Sequence, residues 1–401
     1  MRRIVAALAA CTVAMACAAV DAQTRSAVKI GVLNDQSGVY TDLTGKGSVL
    51  AARMAIDDFG GRVLERPVEL IVGDHQNKAD IGNQIARRWF DVDGVDAIVD
   101  VPNSAVALSV LNVAREKNKA VMFSGAVSPD LTGKACAPIS TQWAYDTFVL
   151  SNAITRALMR QGLDTWYYIA LDAGAGAAFV RDSSRVVENG QGKVLGTVRH
   201  PLNAPDFSSY VLQAQASKAK VVALANAGGD TINAIKAASQ FGLARSGQKV
   251  AGLLLQINDV HGVGLGETQG IVTAESFYWD LDDRTRAFSR RFMARHNGTP
   301  PNQIQAGVYS AVLHYLKSVE AAGTTDGPTV TAKMKELPVD DFYTRAAVVR
   351  RDGRVLRDFY VLQVKSPAES KGPWDYYKLV ARIPGSEAYR SMEEGGCTLG
   401  K

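Results

Sequence analysis

The sequence has few of the residues from which catalytic and metal sites are usually built. Its 401 residues include five histidines and four cysteines, and neither set has a metal-binding spacing such as CxxC, HExxH or two histidines four residues apart. The G-x-S-x-G turn of serine hydrolases is absent as well. We therefore expect no enzymatic activity, no cofactor and no metal.

Long runs of one charge and long apolar runs are also missing. The formal net charge of +5 is spread along the chain without a basic block, which argues against nucleic acid as a partner. Beyond the N-terminus, no apolar run approaches the ~20 residues that are needed to span a bilayer. No repeat of fixed period and no low-complexity tract is present.

The N-terminus has the pattern of an export signal. Two arginines follow the initiating methionine and precede an apolar run, and Val20-Asp21-Ala22 offers small or apolar residues at the positions that signal peptidase reads. Residues 1–22 are then the signal peptide, and the mature chain starts at Gln23. The alternative is a lipoprotein attached through Cys17. Either way, we expect a periplasmic protein.

Removal of the signal leaves two cysteines, Cys136 and Cys397, in the mature chain. An even pair in an oxidising compartment is most simply a disulfide. We expect it to tie the C-terminal tail to the first half of the chain.

Short apolar strands alternate with helical patterns along the mature chain. The predicted strands are VKIGVLN, PVELIVGD, VDAIVDV and KAVMFSGA in the first half, and TWYYIAL, KVLGTVRH, AKVVALAN and KVAGLLLQI in the second. Strands this apolar have no wet face, so they predict parallel sheets covered by helices on both sides. A mature chain of about 380 residues exceeds one hydrophobic core. The expected fold class is therefore α/β, with two doubly wound parallel-sheet lobes.

Polar turns follow several of these strands, among them NDQSGVY, VPNSAV, FSGAVSPDL, NAGGD and QINDVHG. In doubly wound sheets, ligands bind beyond the carboxyl ends of the strands, where helix N-termini present free N–H groups. Each turn taken singly is equally well explained as a cap or turn former. Together they predict a binding cleft between the two lobes.

One glycine-rich turn resembles part of a dinucleotide fingerprint. In YYIALDAGAGAAF, Gly174 and Gly176 follow a strand, but Phe179 stands where a third small residue belongs. An exported protein also has no pool of such cofactors. We therefore interpret this turn as a wall of the cleft.

The order and spacing of three segments resemble the leucine/isoleucine/valine-type periplasmic solute-binding proteins of ABC importers, over essentially the whole mature chain. These segments are VKIGVLNDQSGVYTDLTGKGSVLAARMAIDDFGG, VDAIVDVPNSAVALSVLNVAREKNKAVMFSGAVSPDLT and DFSSYVLQAQASKAKVVALANAGGDTINAIKAASQFGL. The resemblance implies the type I periplasmic binding protein fold, with three crossovers and a ligand trapped by hinge closure. It assigns lobe 1 to residues 23–142 and 275–338, and lobe 2 to residues 143–274 and 339–401.

The resemblance also implies a ligand site. In the family, a hydroxyl and backbone N–H groups after the third and fourth strands hold the ligand carboxylate, and the matching residues here are Asn103 and Ser104, and Gly125 to Val127. Amino-acid binders of the family usually carry a threonine where this chain has Val127, and an aromatic ring where it has Ala175. Asp259 is the approximate match to the acidic partner of the ammonium. The candidate ligand-binding residues are Tyr40, Asn103, Ser104, Gly125, Ala126, Val127, Trp143, Tyr145, Ala175, Asn226, Asp259 and Tyr278.

We therefore expect a monomeric receptor that delivers a small carboxylate to the membrane permease of an ABC importer. The ligand is an aromatic or hydrophobic acid, or a branched-chain or hydrophobic amino acid. The departures from the family pattern at the ammonium end favour an acid without an α-ammonium group. The alternative is a ligand sensor of the same fold that regulates a membrane signalling partner.

Overall fold

Residues 26–399 are described by a computed structural model, and the predicted signal peptide lies outside them. The strands are β1 (Val28–Asn34), β2 (Arg62–Val63), β3 (Arg66–Asp74), β4 (Ala97–Asp100), β5 (Ala120–Phe123), β6 (Ser140–Gln142), β7 (Thr165–Leu171), β8 (Lys193–His200), β9 (Val221–Ala225), β10 (Lys249–Gly252), β11 (Val272–Glu275), β12 (Val348–Val349), β13 (Val355–Leu356), β14 (Phe359–Val364) and β15 (Tyr377–Ile383).

The helices connect and cover these strands. They are α1 (Gly45–Phe59), α2 (Ala79–Arg88), α3 (Ser104–Lys117), α4 (Thr147–Met159), α5 (Gly174–Asn189), α6 (Ser208–Ala216), α7 (Gly229–Gln240), α8 (Ile257–Val263), α9 (Leu265–Thr268), α10 (Asp283–Arg295), α11 (Gln303–Ala322), α12 (Gly327–Glu336), α13 (Gly385–Ala388) and α14 (Met392–Gly395). Within the described residues, no helix is both long enough and apolar enough to span a membrane.

The strands form two large sheets, and each sheet with its helices is one lobe. The lobe 1 sheet has the order β2-β3-β1-β4-β5-β6 and is parallel except for β2. The lobe 2 sheet has the order β15-β14-β11-β10-β9-β7-β8, and β14 runs antiparallel to both of its neighbours, β11 and β15. The predicted fold class, α/β with two doubly wound lobes, is confirmed.

Strands that are apolar on both faces explain the helix layers. In β4, Ile98 packs in the cluster covered by α2 and α3, whereas its neighbour Val99 packs in the cluster covered by α1 and α11. In β9, Ala223 faces α4 and α5, and Leu224 faces α6 and α7. Because successive side chains of a strand point to opposite faces, each sheet needs two helix layers.

The chain crosses between the lobes after β6, after β11 and after β13. The last crossover was expected near Pro338, and the structure corrects this. Val339 and Val349 are buried in the core of lobe 1, and so is Val355, whereas Phe359 is the first residue of β14 in the lobe 2 sheet. These apolar side chains bury against lobe 1, so the crossover occurs at 356–358.

The C-terminal tail returns to lobe 1. The predicted disulfide between Cys136 and Cys397 is confirmed, with Cα atoms 5.7 Å apart. Cys397 is buried, and Gly133 lies so close to the tail that a Cβ there would meet the Gly395 carbonyl oxygen at 2.5 Å. The tail was assigned to lobe 2, and the structure instead attaches its end to the segment between β5 and β6.

The predicted strand KVAGLLLQI is shorter than expected. β10 ends at Gly252, where a Cβ would lie 2.7 Å from the Leu255 Cβ. The absent side chain lets the chain fold back here, and Gln256 then caps α8 reciprocally with Asp259. The apolar run therefore belongs to a strand end and the turn that follows it.

Candidate functional site

A cavity of about 250 Å³ lies between the lobes, beyond the carboxyl ends of the strands. Lobe 1 contributes the loop after β1, the loop after β4 and the loop after β5, and lobe 2 contributes the turn into α5 and the loop after β9. Of the candidate residues, Tyr40, Asn103, Ser104, Gly125, Val127, Tyr145, Ala175 and Asn226 line it. This is the position at which doubly wound folds bind ligands.

The N-terminus of α3 forms the polar end of the cavity. The Asn103 side chain caps the helix, accepting hydrogen bonds from the N–H groups of Ala105 (3.0 Å) and Val106 (3.3 Å). Ser104 is the first helical residue, so its N–H has no intrahelical acceptor. Its hydroxyl is buried and has no hydrogen-bond partner within residues 26–399. Free donors and the positive end of the helix dipole make this end suited to an anion.

Backbone strain and a glycine place this helix start. Asp100 and Val101, at the end of β4, have φ of +86° and +49°, which turns the chain sharply into the α3 loop. Gly125 in the loop after β5 lies against that turn, since a Cβ there would be 2.7 Å from the Pro102 Cβ. The two loops can therefore approach, which brings Val127 to the same cavity as Ser104.

Asp100, the last residue of β4, is hydrogen-bonded to Asn34 at the end of the neighbouring strand β1. Its carboxylate is buried and accepts a hydrogen bond from Asn34 Nδ2 at 3.1 Å. Burial raises the pKa of Asp100 to about 7, an effect that the hydrogen bond from Asn34 opposes. Asp100 itself does not line the cavity.

The walls of the cavity are mostly apolar. The lining from lobe 2 includes Leu171, Ala173, Ala175, Ala178, Phe179, Ala225, Ala227 and Leu254. The glycine-rich turn is explained by backbone packing, because a Cβ at Gly176 would lie 2.0 Å from the Leu171 carbonyl oxygen. Besides Phe179 of α5, lobe 1 and the first crossover supply two rings. Tyr40 is buried, and the Tyr145 hydroxyl donates to the Gly125 carbonyl oxygen at 3.2 Å.

Two charged side chains lie along the described lining, Asp130 and Arg181. Asp130 is exposed. The Arg181 side chain is 52% exposed and pairs with Asp182 at 2.8 Å. The polar atoms of Asn226 are engaged by His200 Nε2 at 3.0 Å and by the Thr231 hydroxyl at 2.8 Å. Along the described lining, the carboxylate that could pair with an ammonium group is therefore that of Asp130, at an exposed position.

Asp259, the expected partner of an ammonium, is not in the cavity lining. Its carboxylate accepts a hydrogen bond from the Gln256 N–H at 2.9 Å, as part of the α8 capping box. Burial, with a smaller contribution from the nearby Asp42 charge, raises the pKa of Asp259 to about 7. The acidic residue in this segment is a helix cap.

Three other candidates also lie outside the lining. Ala126 is buried in the core of lobe 1 beneath α3. Trp143 is fully buried, and its indole N–H donates to the Thr141 hydroxyl at 2.8 Å. Tyr278 packs in the core of lobe 2 and donates to the Trp374 carbonyl oxygen at 3.1 Å. The two rings were interpreted as cleft residues, but their polar atoms are satisfied inside the protein.

Several lining residues were not singled out from the sequence. Ile304 comes from α11, 264 positions after Tyr40 in the chain, and nothing in its local pattern indicates this position. Phe179 and Arg181 follow the predicted turn on α5 and could have been found from its helical periodicity.

The lobes touch each other beside the cavity. The Gly229 N–H, at the start of α7 in lobe 2, donates to the Val39 carbonyl oxygen of lobe 1 at 3.2 Å. The preceding Gly228 has φ of +59° and ψ of −134°, a conformation that side-chain-bearing residues rarely adopt. A backbone contact at a glycine is therefore part of the contact between the lobes.

No group of three or more His, Cys, Asp or Glu side chains that could hold a metal ion occurs in the part of the chain that the structure describes.

Comparison with known proteins gives a consistent result. Residues 27–373 match the family model for periplasmic binding proteins. A periplasmic binding protein from Burkholderia mallei is 47% identical, with a TM-score of 0.91 over 94% of this chain and 100% of that chain. A branched chain amino acid ABC transporter periplasmic ligand-binding protein from Burkholderia xenovorans LB400 is 41% identical, with a TM-score of 0.83 over 93% of this chain and 100% of that chain.

A more distant neighbour has a ligand bound. A solute binding protein of an ABC transporter from R. palustris, solved in complex with benzoate, is 19% identical, with a TM-score of 0.82 over 93% of this chain and 100% of that chain. At this identity the likeness shows the fold alone.

Proposed function

Because the chain belongs to the periplasmic binding protein family, we propose that this solute-binding receptor serves an ABC importer and binds a small apolar or aromatic carboxylate that lacks an α-ammonium group. Family membership implies a periplasmic location. The observation that carries the proposal is the buried Ser104 hydroxyl at the start of α3, which has no hydrogen-bond partner within residues 26–399. The acidic residue along the described lining, Asp130, is exposed.

Three hydrogen-bond donors could hold the carboxylate of the ligand: the Ser104 hydroxyl, the Ser104 N–H and the Val127 N–H. The Ser104 hydroxyl and N–H belong to the first turn of α3, and the Val127 backbone lies on the facing loop. A bound carboxylate would satisfy the Ser104 hydroxyl, which otherwise bears the cost of an unsatisfied buried polar group, about 1–3 kcal/mol. The helix dipole adds roughly 0.3–1 kcal/mol for an anion at this position.

The apolar body of the ligand is supported by the opposite wall. Ala173 and Ala175 keep the side chains of this wall short, and Tyr40 and Tyr145 provide rings across the cavity. Burial of apolar surface against these residues is favourable by about 25 cal/mol per Å². A planar aromatic acid fits such a slot between small residues and rings.

An amino acid would lack a partner for its ammonium group in this arrangement. Asp259 is engaged in the α8 capping box, and Asp130 is exposed. Burial of an unpaired ammonium costs several kcal/mol, and each 1.4 kcal/mol is a factor of ten in affinity. We therefore expect leucine to bind at least about a hundredfold more weakly than a matching acid.

Known relatives define the competing ligands. The R. palustris neighbour was solved with benzoate, so the fold can enclose an aromatic acid in that protein. The Burkholderia xenovorans relative is described as a branched chain amino acid transporter component. Leucine is therefore the ligand against which an aromatic acid must be compared.

The proposal is tested by thermal unfolding of ligand-free protein with benzoate, 4-hydroxycinnamate, leucine and phenylalanine. We expect an aromatic acid to stabilise the wild type, and Ser104→Ala to lose most of that stabilisation. Ser209→Ala, an exposed serine on α6, is the matched control and should behave as the wild type. Stabilisation by leucine alone, or an equal response of both serine variants, would contradict the proposed site.

The transport role needs a cellular test. Deletion of the gene should abolish high-affinity uptake of the ligand, because a receptor concentrates solute for its permease. Uptake that survives while a transcriptional response to the ligand is lost would indicate a sensor instead.

A further inference from the structure

A second pocket, of about 630 Å³, lies at the hinge and shares no lining residue with the ligand cavity. Its lining includes Ser276, just after β11, and Arg357, between β13 and β14. The second and third crossovers therefore meet at this pocket. The first crossover is close by, since the Arg357 guanidinium carbon lies 5.8 Å from the centre of the Trp143 ring.

Arg357 has an unusual environment for a cation. It is 2% exposed, and none of its three guanidinium nitrogens has a hydrogen-bond partner within residues 26–399. A guanidinium stays protonated in proteins and carries five N–H donors. Its contact with the Tyr343 ring, at 3.7 Å from the ring centre, offsets part of the buried charge. A ring face, however, supplies no acceptor in the plane of these donors.

The rest of the pocket is also basic. The charged residues along its lining are Arg284, Arg345, Arg357, Arg382, Asp282 and Asp358. Both aspartates are already engaged: Asp282 caps α10, and Asp358 pairs with Arg382 and accepts a hydrogen bond from the Gly385 N–H at 2.9 Å. Neither aspartate is hydrogen-bonded to Arg357.

We propose that this hinge pocket binds a small oxyanion, such as phosphate, on Arg357 with help from Arg345. Arginine is suited to this role because its planar fork matches the oxygens of phosphate with two parallel hydrogen bonds. The Ser276 hydroxyl, which is hydrogen-bonded to Gln303 Oε1 at 3.0 Å and to the Tyr343 hydroxyl, lies on the same lining. The bound anion would thereby lie where two crossovers meet, with its hydrogen-bond donors supplied by the arginines.

The test is titration of the full mature chain with inorganic phosphate by calorimetry, with sodium chloride adjusted to hold the ionic strength constant. We expect saturable binding of one phosphate per chain. Arg357→Met, which keeps the apolar stem over Tyr343, and Arg345→Ala should each weaken binding at least tenfold. Arg53→Ala, at an exposed position on α1, should leave it unchanged.

Two further outcomes separate this site from the ligand cavity. Ser104→Ala should bind phosphate as the wild type does, and loss of phosphate binding in that variant would overturn the proposal by placing the anion in the cleft. If Arg357→Met does not fold, Arg345→Ala still decides the question, because Arg345 is exposed. Absence of saturable binding beyond the chloride control, or unchanged binding in Arg345→Ala, would also overturn it.

Discussion

Replacement of Gly228 by alanine should weaken ligand binding by opposing closure of the lobes. A Cβ at this position would lie 2.5 Å from the Val39 carbonyl oxygen across the interface. Nonbonded carbon contacts are favourable only near 3.5–4.0 Å, so the lobes would have to separate by roughly an ångström. That movement breaks the hydrogen bond from Gly229 to the same oxygen, which measures 3.2 Å.

The size of the effect follows from these two terms. Loss of one hydrogen bond contributes about 0.5–1.5 kcal/mol, and the lost packing of Val39 and Tyr40 against lobe 2 adds a comparable amount. Together they predict binding that is about 10 to 100 times weaker. The positive φ of Gly228 adds a further penalty of roughly 1–3 kcal/mol, but this penalty acts on the open and closed states alike and lowers stability rather than affinity.

Gly270→Ala is the matched control for strain. Gly270 has φ of +80°, lies in lobe 2, and has no atom within 4 Å of its Cβ position. Both variants should lose thermal stability in the absence of ligand, whereas calorimetry should show weaker binding in Gly228→Ala alone. Equal affinities of the two variants would refute the role of this contact in closure.

Three further predictions concern stability and the cavity. Burial raises the pKa of Asp259 to about 7, so the folded state retains a proton that the unfolded state releases near pH 4. The free energy of unfolding should therefore fall as pH rises from about 4 to 7, by at most about 4 kcal/mol. In urea unfolding at pH 5 and pH 8, Asp259→Asn should make this fall shallower, and an unchanged pH dependence would contradict the prediction. Joint replacement of Cys136 and Cys397 by serine should lower the melting temperature, because the disulfide closes a loop with a sequence separation of 261. The chain-entropy model gives about 5–6 kcal/mol for closing a loop of this length. An unchanged melting temperature would show that the tail is held without the disulfide. Ala175→Phe should fill the cavity and weaken ligand binding at least tenfold in calorimetry. Ala177→Phe, on the exposed side of α5, should leave ligand binding unchanged. Equal affinities of the two variants would show that Ala175 is not part of the site.

Local signals in the sequence were enough to predict the start of α3, with Asn103 or Ser104 as its cap. Asn103 precedes an apolar pattern of helical period, which indicates a helix cap, and the structure shows that cap with two hydrogen bonds. Strict alternation of apolar strands with helices likewise predicted both sheets, because burial on two faces leaves a simple pattern in the sequence.

Residues placed by long-range packing could not be assigned in this way. An aromatic side chain is suited equally to a cleft and to a core, so Trp143 and Tyr278 were indistinguishable from Tyr40 until their partners were known. Asp259 was misplaced because the apolar run before it suggested a longer strand and hid the α8 capping box. The unpartnered state of Arg357 depends on three crossovers that are distant in sequence.

The central claim is that the cavity selects a carboxylate without an ammonium group. The most direct measurement is calorimetric titration of ligand-free wild-type protein with benzoate, 4-hydroxycinnamate and leucine under identical conditions. The account predicts that at least one aromatic acid binds about a hundredfold or more tightly than leucine. Tight binding of leucine with no detectable binding of either aromatic acid would contradict it.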